Sequence, residues 1–251
     1  MTLPSPLQRA RLAAHLGVVS FAAVLVASPF VSAFGVHRSI EAAGPLLDPS
    51  AAVRLPADAE EKLSSTDAAA RAEGAHELIR AIEAEWPDDH RRTFLVAVAP
   101  EALRSAVEHC VPPSVTVGQA IQESGWGRSG LAEDYKNLFG LKAGAADGVK
   151  LPTIEVVNGQ PTRVHGRFRR FEDFEASVRH HDRLLSSDPR YADARVHWGN
   201  WPRFLAVVAP VYASDPDYVR RVSGLVKSYR LDEWDALVTR VARRRAACPE
   251  L

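Results

Sequence analysis

The sequence predicts an α+β fold that is mainly α-helical and carries one small β-hairpin lobe. Beyond residue 60, apolar residues recur at helical spacing in most segments. One stretch differs, because two runs of alternating residues flank Asn158-Gly159, a dipeptide typical of two-residue hairpin turns. Hydrophobic residues make up 46% of the chain and charged residues 25%, as in ordinary globular proteins, which excludes wholesale disorder.

The charge balance and the cysteine content exclude several classes of protein. The 31 Lys and Arg residues balance the 31 Asp and Glu residues, whereas a nucleic-acid-binding protein carries a basic excess. Two cysteines are too few for a disulfide-dense mini-protein or a Cys-rich zinc module. Cys110 and Cys248 either pair in an oxidising compartment or leave Cys110 as a buried thiol, and the sequence alone leaves both open.

The amino terminus predicts export to the periplasm or cell envelope. Arg9 and Arg11 precede an apolar run over residues 12–36, which contains the small-residue exit Val31-Ser32-Ala33 of a cleavable signal peptide. The same run approaches the roughly 20 residues that span a bilayer, so a retained membrane anchor is the alternative. Either way, the rest of the chain lies outside the cytoplasm.

The remaining sequence divides into three parts. Scattered prolines predict a flexible tether after the apolar run, and Ala- and Glu-rich residues from Glu60 to Glu85 predict an amphipathic helix. Four segments result: a signal or anchor, a tether with its helix, the main domain, and a basic helix end. Their boundaries are 1–36, 37–87, 88–236 and 237–251.

The main domain is predicted to begin with three helices. The first starts at Thr93, and Pro100 is expected to open a second that ends before Val111-Pro112-Pro113. Ser114 is a suitable N-cap for a third helix, from Val115 to about Glu123.

The hairpin is predicted to pair Thr153–Val157 with Gln160–His165 around a type I′ turn. Counting back from the turn pairs Glu155 with Thr162 and places it on the same face as Thr153. The second strand contains Pro161, which is typical of an edge strand. Four further helices are expected over residues 172–186, 203–210, 215–229 and 232–247.

Glu123 has the surroundings that a general acid requires. Gly125 and Gly127 end its helix, with Trp126 between them. The negative end of the helix dipole and apolar neighbours both disfavour a carboxylate, so we expect Glu123 to hold its proton above the ordinary pKa of about 4.3. Such a carboxyl group is suited to protonating a glycosidic oxygen. The spacing alone also fits a surface glutamate that ends an ordinary helix.

The same region resembles glycoside hydrolase family 73. The block S-V-x-x-x-Q-A-x-x-E-S-G-W-G-x-S runs from Ser114 to Ser129, and Asn137-Leu-Phe-Gly-Leu-Lys142 follows it. The similarity covers about residues 90–235, with further matches at Thr153, Glu155, Phe168, Arg169, Ser177, His181 and Tyr212–Tyr218. This family comprises endo-β-N-acetylglucosaminidases of bacterial peptidoglycan with a lysozyme-like fold, including the muramidase-type domain of flagellar rod-assembly proteins.

The resemblance implies an exported hydrolase that cleaves the β-1,4 bond between N-acetylglucosamine and N-acetylmuramic acid. The family's catalytic glutamate falls on Glu123, its second glutamate on Glu155, and a tyrosine near the cleavage site on Tyr212. The predicted substrate-binding residues are Trp126, Asn137, Phe139 and Tyr218. Trp126 and Phe139 also fit plain packing, and Asn137 is expected to shape the turn below the cleft.

Two departures from the family pattern stand out. Gly118 replaces the usual alanine, which we expect to loosen the third helix slightly. His180 stands where relatives commonly carry an acidic residue before His181, which puts any network around His181 in doubt.

No metal or other cofactor is expected. Adjacent histidines such as His180 and His181 point about 100° apart on a helix and do not readily share one ion. No H-E-x-x-H motif occurs in the sequence. The expected partner is a peptidoglycan glycan strand rather than a nucleic acid, and the protein is expected to be a monomer, with membrane contact through residues 12–36 if the anchor is retained.

Two mechanisms remain open at this point. In one, Glu123 protonates the leaving oxygen and Glu155 activates water; in the other, the substrate's 2-acetamido group attacks and Tyr212 orients it. Three alternative functions also remain: a muramidase, a lytic transglycosylase of the same superfold, and a non-catalytic cell-wall-binding or assembly factor.

Overall fold

The described part of the chain contains nine α-helices, of which one is central, and one β-hairpin. The computed structural model describes residues 58, 61–62, 65, 67–86, 88–144, 148–157, 160–245 and 248. The helices are α1 (Ala68–Glu85), α2 (His90–His109), α3 (Pro113–Ser124), α4 (Gly130–Tyr135), α5 (Phe174–Ser187), α6 (Ala192–Arg195), α7 (Trp201–Tyr212), α8 (Tyr218–Ser228) and α9 (Asp232–Arg245). The predicted signal or anchor, the start of the tether and the Asn158-Gly159 turn lie outside the described residues.

The central helix is α3, which packs against α2, α8 and α9. Its residues from Pro113 to Ile121 are all buried, as expected of a helix that is enclosed by other helices rather than lying on the surface. The predicted range of 115–123 therefore agrees with the observed one to within two residues. Glu123 stands in its last turn, as predicted.

The start of α3 differs from the prediction. Pro112 occupies the N-cap position and makes no side-chain cap, so Ser114 is not the N-cap. Instead, the backbone N–H of Ser114 donates to Asp235 Oδ1 at 3.0 Å, and its hydroxyl donates to Asp235 Oδ2 at 2.5 Å. Asp235 belongs to α9, so a residue 121 positions away supplies the hydrogen-bond acceptor at the helix N-terminus.

The predicted break at Pro100 is also wrong. α2 runs without interruption from His90 to His109 and contains Pro100 in its interior. Pro removes one helical hydrogen bond and strains the preceding turn. The helix stays continuous because residues on both sides of Pro100, including Val98, Ala99 and Ala102, are fully buried in the core. The tertiary packing outweighs the local preference.

The helix predicted from residue 60 begins later than expected, at Ala68. The Asp67 side chain accepts hydrogen bonds from the backbone N–H groups of Ala69 and Ala70, which is the arrangement of an N-cap. Its C-terminal end at Glu85 agrees with the prediction. The four C-terminal helices predicted downstream correspond to α5, α7, α8 and α9 within a few residues, and a short 3-10 turn with α6 lies between α5 and α7.

The hairpin consists of β1 (Val149–Val157) and β2 (Gln160–Phe168), paired antiparallel. The predicted register is confirmed, because Glu155 pairs with Thr162 and Val157 with Gln160. In this two-stranded sheet both strands are edges, which accommodates Pro161. Thr153 is buried and its neighbour Pro152 is exposed, whereas the side chains of residues 154–157, whose faces were predicted, lie outside the described ones.

A disulfide resolves the question that the cysteines left open. Cys110, which ends α2, is bonded to Cys248 beyond α9, with 5.6 Å between the two Cα atoms. The buried Trp198 packs against this bridge. The tail that follows α9 is thereby tied to the centre of the chain. Among the described helices, none is both long and apolar enough to cross a membrane.

We predict that this disulfide contributes strongly to stability. It joins residues 138 positions apart, and closing so long a loop restricts the unfolded chain. Reduction should therefore lower the free energy of unfolding by about 2–5 kcal/mol. Urea unfolding with and without reductant measures the effect, with the Cys110→Ala/Cys248→Ala double variant as the control that reductant leaves unchanged. Equal stability of the wild type in both conditions would contradict the prediction.

We further predict that Asp235 makes stability depend on pH. Burial raises the pKa of Asp235 from 3.8 to about 7, although its bonds to Ser114 act in the opposite direction. The folded protein then keeps a proton that the unfolded chain loses, so the contribution of Asp235 to the unfolding free energy falls as pH rises from 3.8 to about 7. The limiting slope is about 1.4 kcal/mol per pH unit.

Asp235→Asn should remove this contribution while keeping an amide oxygen for the Ser114 N–H. The measurement is urea unfolding of both proteins at several pH values between 4 and 8. Glu233→Gln, in the exposed first turn of the same helix, is the matched control and should retain the wild-type slope. An unchanged slope in Asp235→Asn would refute the assignment.

Candidate active site

Glu123 emerges from the core at the C-terminal end of α3. The helix ends at Ser124, and the next three residues adopt left-handed backbone conformations, with φ values of 58° at Gly125, 63° at Trp126 and 75° at Gly127. The Glu123 side chain is half-buried, whereas most of its helix is fully enclosed. The carboxyl group therefore combines a fixed origin with partial access to solvent.

Two features hold the turn that follows Glu123. The Ser124 hydroxyl donates to the Ala120 carbonyl oxygen at 2.6 Å and accepts from the Gly127 N–H at 2.7 Å. A Cβ atom on Gly127 would approach the Phe94 ring to 3.0 Å, so both the positive φ and the close contact favour glycine. The backbone after the acid is thus closely packed.

Two tyrosines flank the Glu123 carboxyl group. The Tyr218 hydroxyl accepts a hydrogen bond from Gln119 Nε2 at 3.0 Å, and Glu123 lies near enough to act on the pKa of this hydroxyl. The Tyr212 ring lies 5.9 Å from the Tyr218 ring. Burial and the negative charge of Glu123 raise the pKa of both tyrosines well above the ordinary value. Both hydroxyls therefore remain protonated and act as hydrogen-bond donors.

The turn between α7 and α8 positions both tyrosines, since Tyr212 ends α7 and Tyr218 begins α8. Asp215 organises it: its carbonyl accepts from the Tyr218 N–H at 3.1 Å and its side chain accepts from the Asp217 N–H at 2.9 Å. Asp215 also forms an ion pair with Arg221 of α8. The spacing of the two rings is thus set by a tightly bonded turn.

Asn137 organises the loop that leads to the hairpin. Its Nδ2 donates to the carbonyl oxygens of Leu141 and Arg169, each at 2.9 Å. Its Oδ1 accepts from the N–H groups of Phe139 at 3.3 Å and Leu141 at 2.9 Å. The side chain is only 1% exposed. This geometry makes Asn137 a residue that holds the loop, as expected for the turn; its contact with a substrate stays a prediction.

Phe139 lies inside this loop and connects it to Tyr212. Its carbonyl oxygen is 3.4 Å from the Tyr212 hydroxyl, and its ring stacks on His181 with centroids 3.9 Å apart. Phe139 is only 4% exposed, so its side chain belongs to the core, the alternative that the sequence left open. Its predicted substrate contact is not tested by this arrangement.

Three buried polar side chains next to the Phe139 and Tyr212 rings are hydrogen-bonded in series. His181 Nδ1 is 2.9 Å from Asp182 Oδ1, which accepts from the Thr116 hydroxyl at 2.7 Å. The network that His180 put in doubt is therefore built on Asp182, the residue after His181. His180 itself is half-buried, and burial together with the nearby Arg169 and Arg183 lowers its pKa, which favours the neutral ring.

Trp126 is part of an aromatic cluster beside the acid. Its ring meets the Tyr229 ring edge-on at 4.8 Å and the Phe94 ring edge-on at 5.7 Å. Trp86 lies 6.2 Å away. The indole is half-buried, so it both packs the end of α3 and keeps some exposed surface. Stacking on a sugar stays a prediction for Trp126.

The second predicted carboxylate belongs to the hairpin. By register, position 155 falls on the face of β1 that also includes the buried Thr153. That face is opposite to the exposed one that carries Lys150 and Arg167. The base of the hairpin is attached to the body by the bond from the Arg169 N–H to the Leu141 carbonyl at 2.8 Å.

Among the described residues, no group of three or more His, Cys, Asp or Glu side chains is arranged to hold a metal ion. Among the described side chains around the end of α3, the groups that can act chemically include the Glu123 carboxyl group and the two protonated tyrosine hydroxyls. Such a set can donate a proton, accept it back and hydrogen-bond an amide of a substrate.

Sequence reasoning missed one residue of this site. Gln119 lies four residues before Glu123, so both side chains project from the same side of α3 one turn apart. That spacing was visible in the sequence. The partner that gives it meaning, Tyr218, lies 99 positions away and is brought to it only by folding.

Comparisons with known proteins show relatives that match the region containing this site. The exo-glucosaminidase LytG of Bacillus subtilis (strain 168) is 32% identical over 153 residues, which cover 59% of this chain and 54% of the relative. The peptidoglycan hydrolase FlgJ of Vibrio cholerae is 33% identical over 141 residues, covering 53% of this chain and 42% of the relative. The chain thus matches about half the length of these relatives.

Solved structures show a similar fold. The catalytic domain of the autolysin Auto from Listeria monocytogenes superimposes with a TM-score of 0.52 at 23% identity, covering 59% of this chain and 89% of that domain. An N-acetylmuramoyl-L-alanine amidase from Staphylococcus aureus has a TM-score of 0.51 at 25% identity, covering 59% of this chain and 44% of that protein. The predicted lysozyme-like fold, mainly helical with a small hairpin lobe, is confirmed.

The family assignment rests on the match to a whole-domain pattern. The family model described as mannosyl-glycoprotein endo-beta-N-acetylglucosaminidase matches residues 99–231, more than half of the chain. This range contains α3, the hairpin and both tyrosines of the site. The chain therefore belongs to the glucosaminidase family, glycoside hydrolase family 73.

Proposed function

We propose that this protein is an exported peptidoglycan hydrolase that cleaves the β-1,4 bond between N-acetylglucosamine and N-acetylmuramic acid. The observation that carries the proposal is the half-buried Glu123 carboxyl group at the end of a buried helix, flanked by Tyr212 and Tyr218. Family membership supports the substrate, as do relatives named as a glucosaminidase and a peptidoglycan hydrolase.

In this proposal Glu123 is the general acid. Its proton passes to the glycosidic oxygen as the bond to the anomeric carbon breaks, so the leaving sugar departs as a neutral alcohol. The carboxylate that forms is stabilised by a hydrogen bond from the nearby Tyr218 hydroxyl.

The second half of the reaction has two candidate routes. Glu155 activates a water that attacks the anomeric carbon and inverts it, or the substrate's own acetamido oxygen attacks and water opens the resulting ring with retention. Tyr212 supports the second route, because it lies near Glu123 and its hydroxyl is protonated. This hydroxyl is 3.4 Å from the Phe139 carbonyl oxygen. The anomeric form of the first product distinguishes the two routes.

Export is the part of the proposal that concerns location. The Cys110–Cys248 disulfide supports it, because such bonds persist in oxidising compartments outside the cytoplasm. We propose that residues 1–36 direct the chain to the periplasm or cell envelope. A cleaved leader and a retained anchor give proteins of different mass in the cell, which immunoblotting separates.

The cleavage products distinguish the proposed function from the two alternative enzyme activities. On defined glycan chains, the proposed enzyme leaves N-acetylglucosamine at the new reducing end, a muramidase leaves N-acetylmuramic acid, and a lytic transglycosylase leaves 1,6-anhydro ends. Chain lengths matter as well, since one relative is named an exo-glucosaminidase. Internal cleavage gives intermediate lengths from the start, whereas terminal cleavage releases small products first.

We predict that Glu123→Gln strongly lowers turnover. The amide has nearly the same shape as the carboxyl group but no acidic proton, and loss of a general acid lowers kcat by about 10²–10⁴-fold. Release of reducing ends from purified sacculi is the measurement. Glu133→Gln, on the exposed face of α4, is the matched control and should keep wild-type activity. Equal activity of Glu123→Gln and wild type would reject the catalytic assignment and favour a wall-binding role.

We predict that Glu155→Gln also lowers kcat, because position 155 lies on the same face of the hairpin as the buried Thr153 and, in this proposal, either activates water or stabilises the charge at the anomeric carbon. The expected loss is about 10²-fold or more. Polarimetry or NMR of the first product, measured in the same experiment on wild type, assigns inversion or retention. Full activity of Glu155→Gln would remove this residue from the mechanism.

A further inference from the structure

One buried residue of the site has no role in the reaction described above. Gln119 is fully buried in α3, one turn before Glu123, and its Nε2 donates to the Tyr218 hydroxyl oxygen at 3.0 Å. The same hydroxyl lies near Glu123, whose charge acts on its pKa. Three side chains therefore form a continuous line from the core to the carboxyl group of the acid.

The single proton of the Tyr218 hydroxyl determines which group donates and which accepts in each of these contacts. A protonated phenol has one proton to donate, and Gln119 fills the acceptor side of the oxygen with an N–H. The Tyr218 proton is then left for Glu123. If the Gln119 amide were turned around, its oxygen would compete for that proton, so the orientation of one buried amide decides where the hydroxyl points.

The arrangement carries an energetic penalty that packing does not explain. The Gln119 Oε1 atom is buried and has no hydrogen-bond partner among the described residues. An unsatisfied buried carbonyl is unfavourable, and leucine or methionine would fill the same space without that penalty. The hydrogen bond that Gln119 donates to Tyr218, rather than its volume, therefore accounts for a polar residue at this position.

We propose that Gln119 is a positioning residue, which directs the single proton of Tyr218 at Glu123 and thereby stabilises the carboxylate that forms as the acid gives up its proton. This inference rests on the proposed function. Hydrogen bonds in series polarise one another, so the bond from Gln119 also makes Tyr218 a stronger donor. The effect is largest when Glu123 is ionised, which is the state reached as the glycosidic bond breaks.

Other titratable groups surround this line on several elements. Tyr212 approaches Glu123 from α7, and Tyr191 and Asp182 act on Tyr212 from behind. Asp235 of α9 contacts the opposite end of α3, at Ser114. Among these groups, Tyr218 is the one that contacts both Gln119 and Glu123, so a variant of Gln119 should act on Glu123 through it.

The test is the pH dependence of kcat for the full chain on defined glycan chains. The alkaline limb reports loss of the proton from the acid in the enzyme–substrate complex. Tyr218→Phe removes a hydrogen bond to the carboxylate, so its limb should move to higher pH by about one unit. Gln119→Leu should move the limb in the same direction by a smaller amount.

A double-variant cycle separates positioning from packing. If Gln119 acts through Tyr218, the Gln119→Leu/Tyr218→Phe protein should have the same alkaline limb as Tyr218→Phe alone. Gln119→Met, which matches glutamine in length, should reproduce the shift of Gln119→Leu and serves if the leucine variant folds poorly. Gln122→Leu is the matched control: it changes the same residue type on the same helix, and its limb should equal that of wild type.

The outcomes are distinct for this inference and for the function on which it rests. If wild type releases no sugar products, the proposed function fails. If wild type and Gln122→Leu are active while Gln119→Leu and Gln119→Met keep the wild-type limb, only the role of Gln119 is overturned. A further shift on adding Gln119→Leu to Tyr218→Phe would likewise overturn it, because Gln119 would then act without the tyrosine.

Discussion

The enclosure of α3 is the constraint on which the rest of the site depends. A helix that is buried on every side has only one position that satisfies all its neighbours, because protein cores are packed nearly as densely as crystals. Asp235 fixes its first turn and Tyr218 its last, each from another helix. The direction in which Glu123 leaves the core is therefore set by the whole helical body rather than by the local turn.

The close packing of α8 on α3 contributes to the same result. A Cβ atom on Gly118 would come within 3.1 Å of side-chain carbons of both Val222 and Val226. The glycine that departs from the family pattern thus permits a close approach, which offsets the helix propensity it gives up. Because α8 begins with Tyr218, this approach also sets how far that hydroxyl lies from the acid.

The features that were predictable from the sequence are local ones. The hairpin register followed from a two-residue turn, and the end of α3 from Gly125 and Gly127, since a few neighbouring residues determine each. The errors at Pro100 and Ser114 have a common origin. In both cases a contact between distant segments, the surrounding core or the Asp235 carboxylate, replaced the locally preferred arrangement. Gln119 escaped notice for the same reason.

The two proposed carboxylates lie on different elements, Glu123 on the buried helix α3 and Glu155 on the hairpin. The buried side-chain amide of Asn137 couples the two elements. Asn137 bonds the Arg169 carbonyl at the base of the hairpin and also shapes the loop whose Phe139 carbonyl faces the Tyr212 hydroxyl. Proton transfer requires hydrogen-bond distance, so the acid belongs on the rigid helix, whereas the hairpin has only two strands of its own. Asn137 therefore couples the position of the hairpin to the loop that contacts Tyr212, and Tyr212 in turn lies near Glu123.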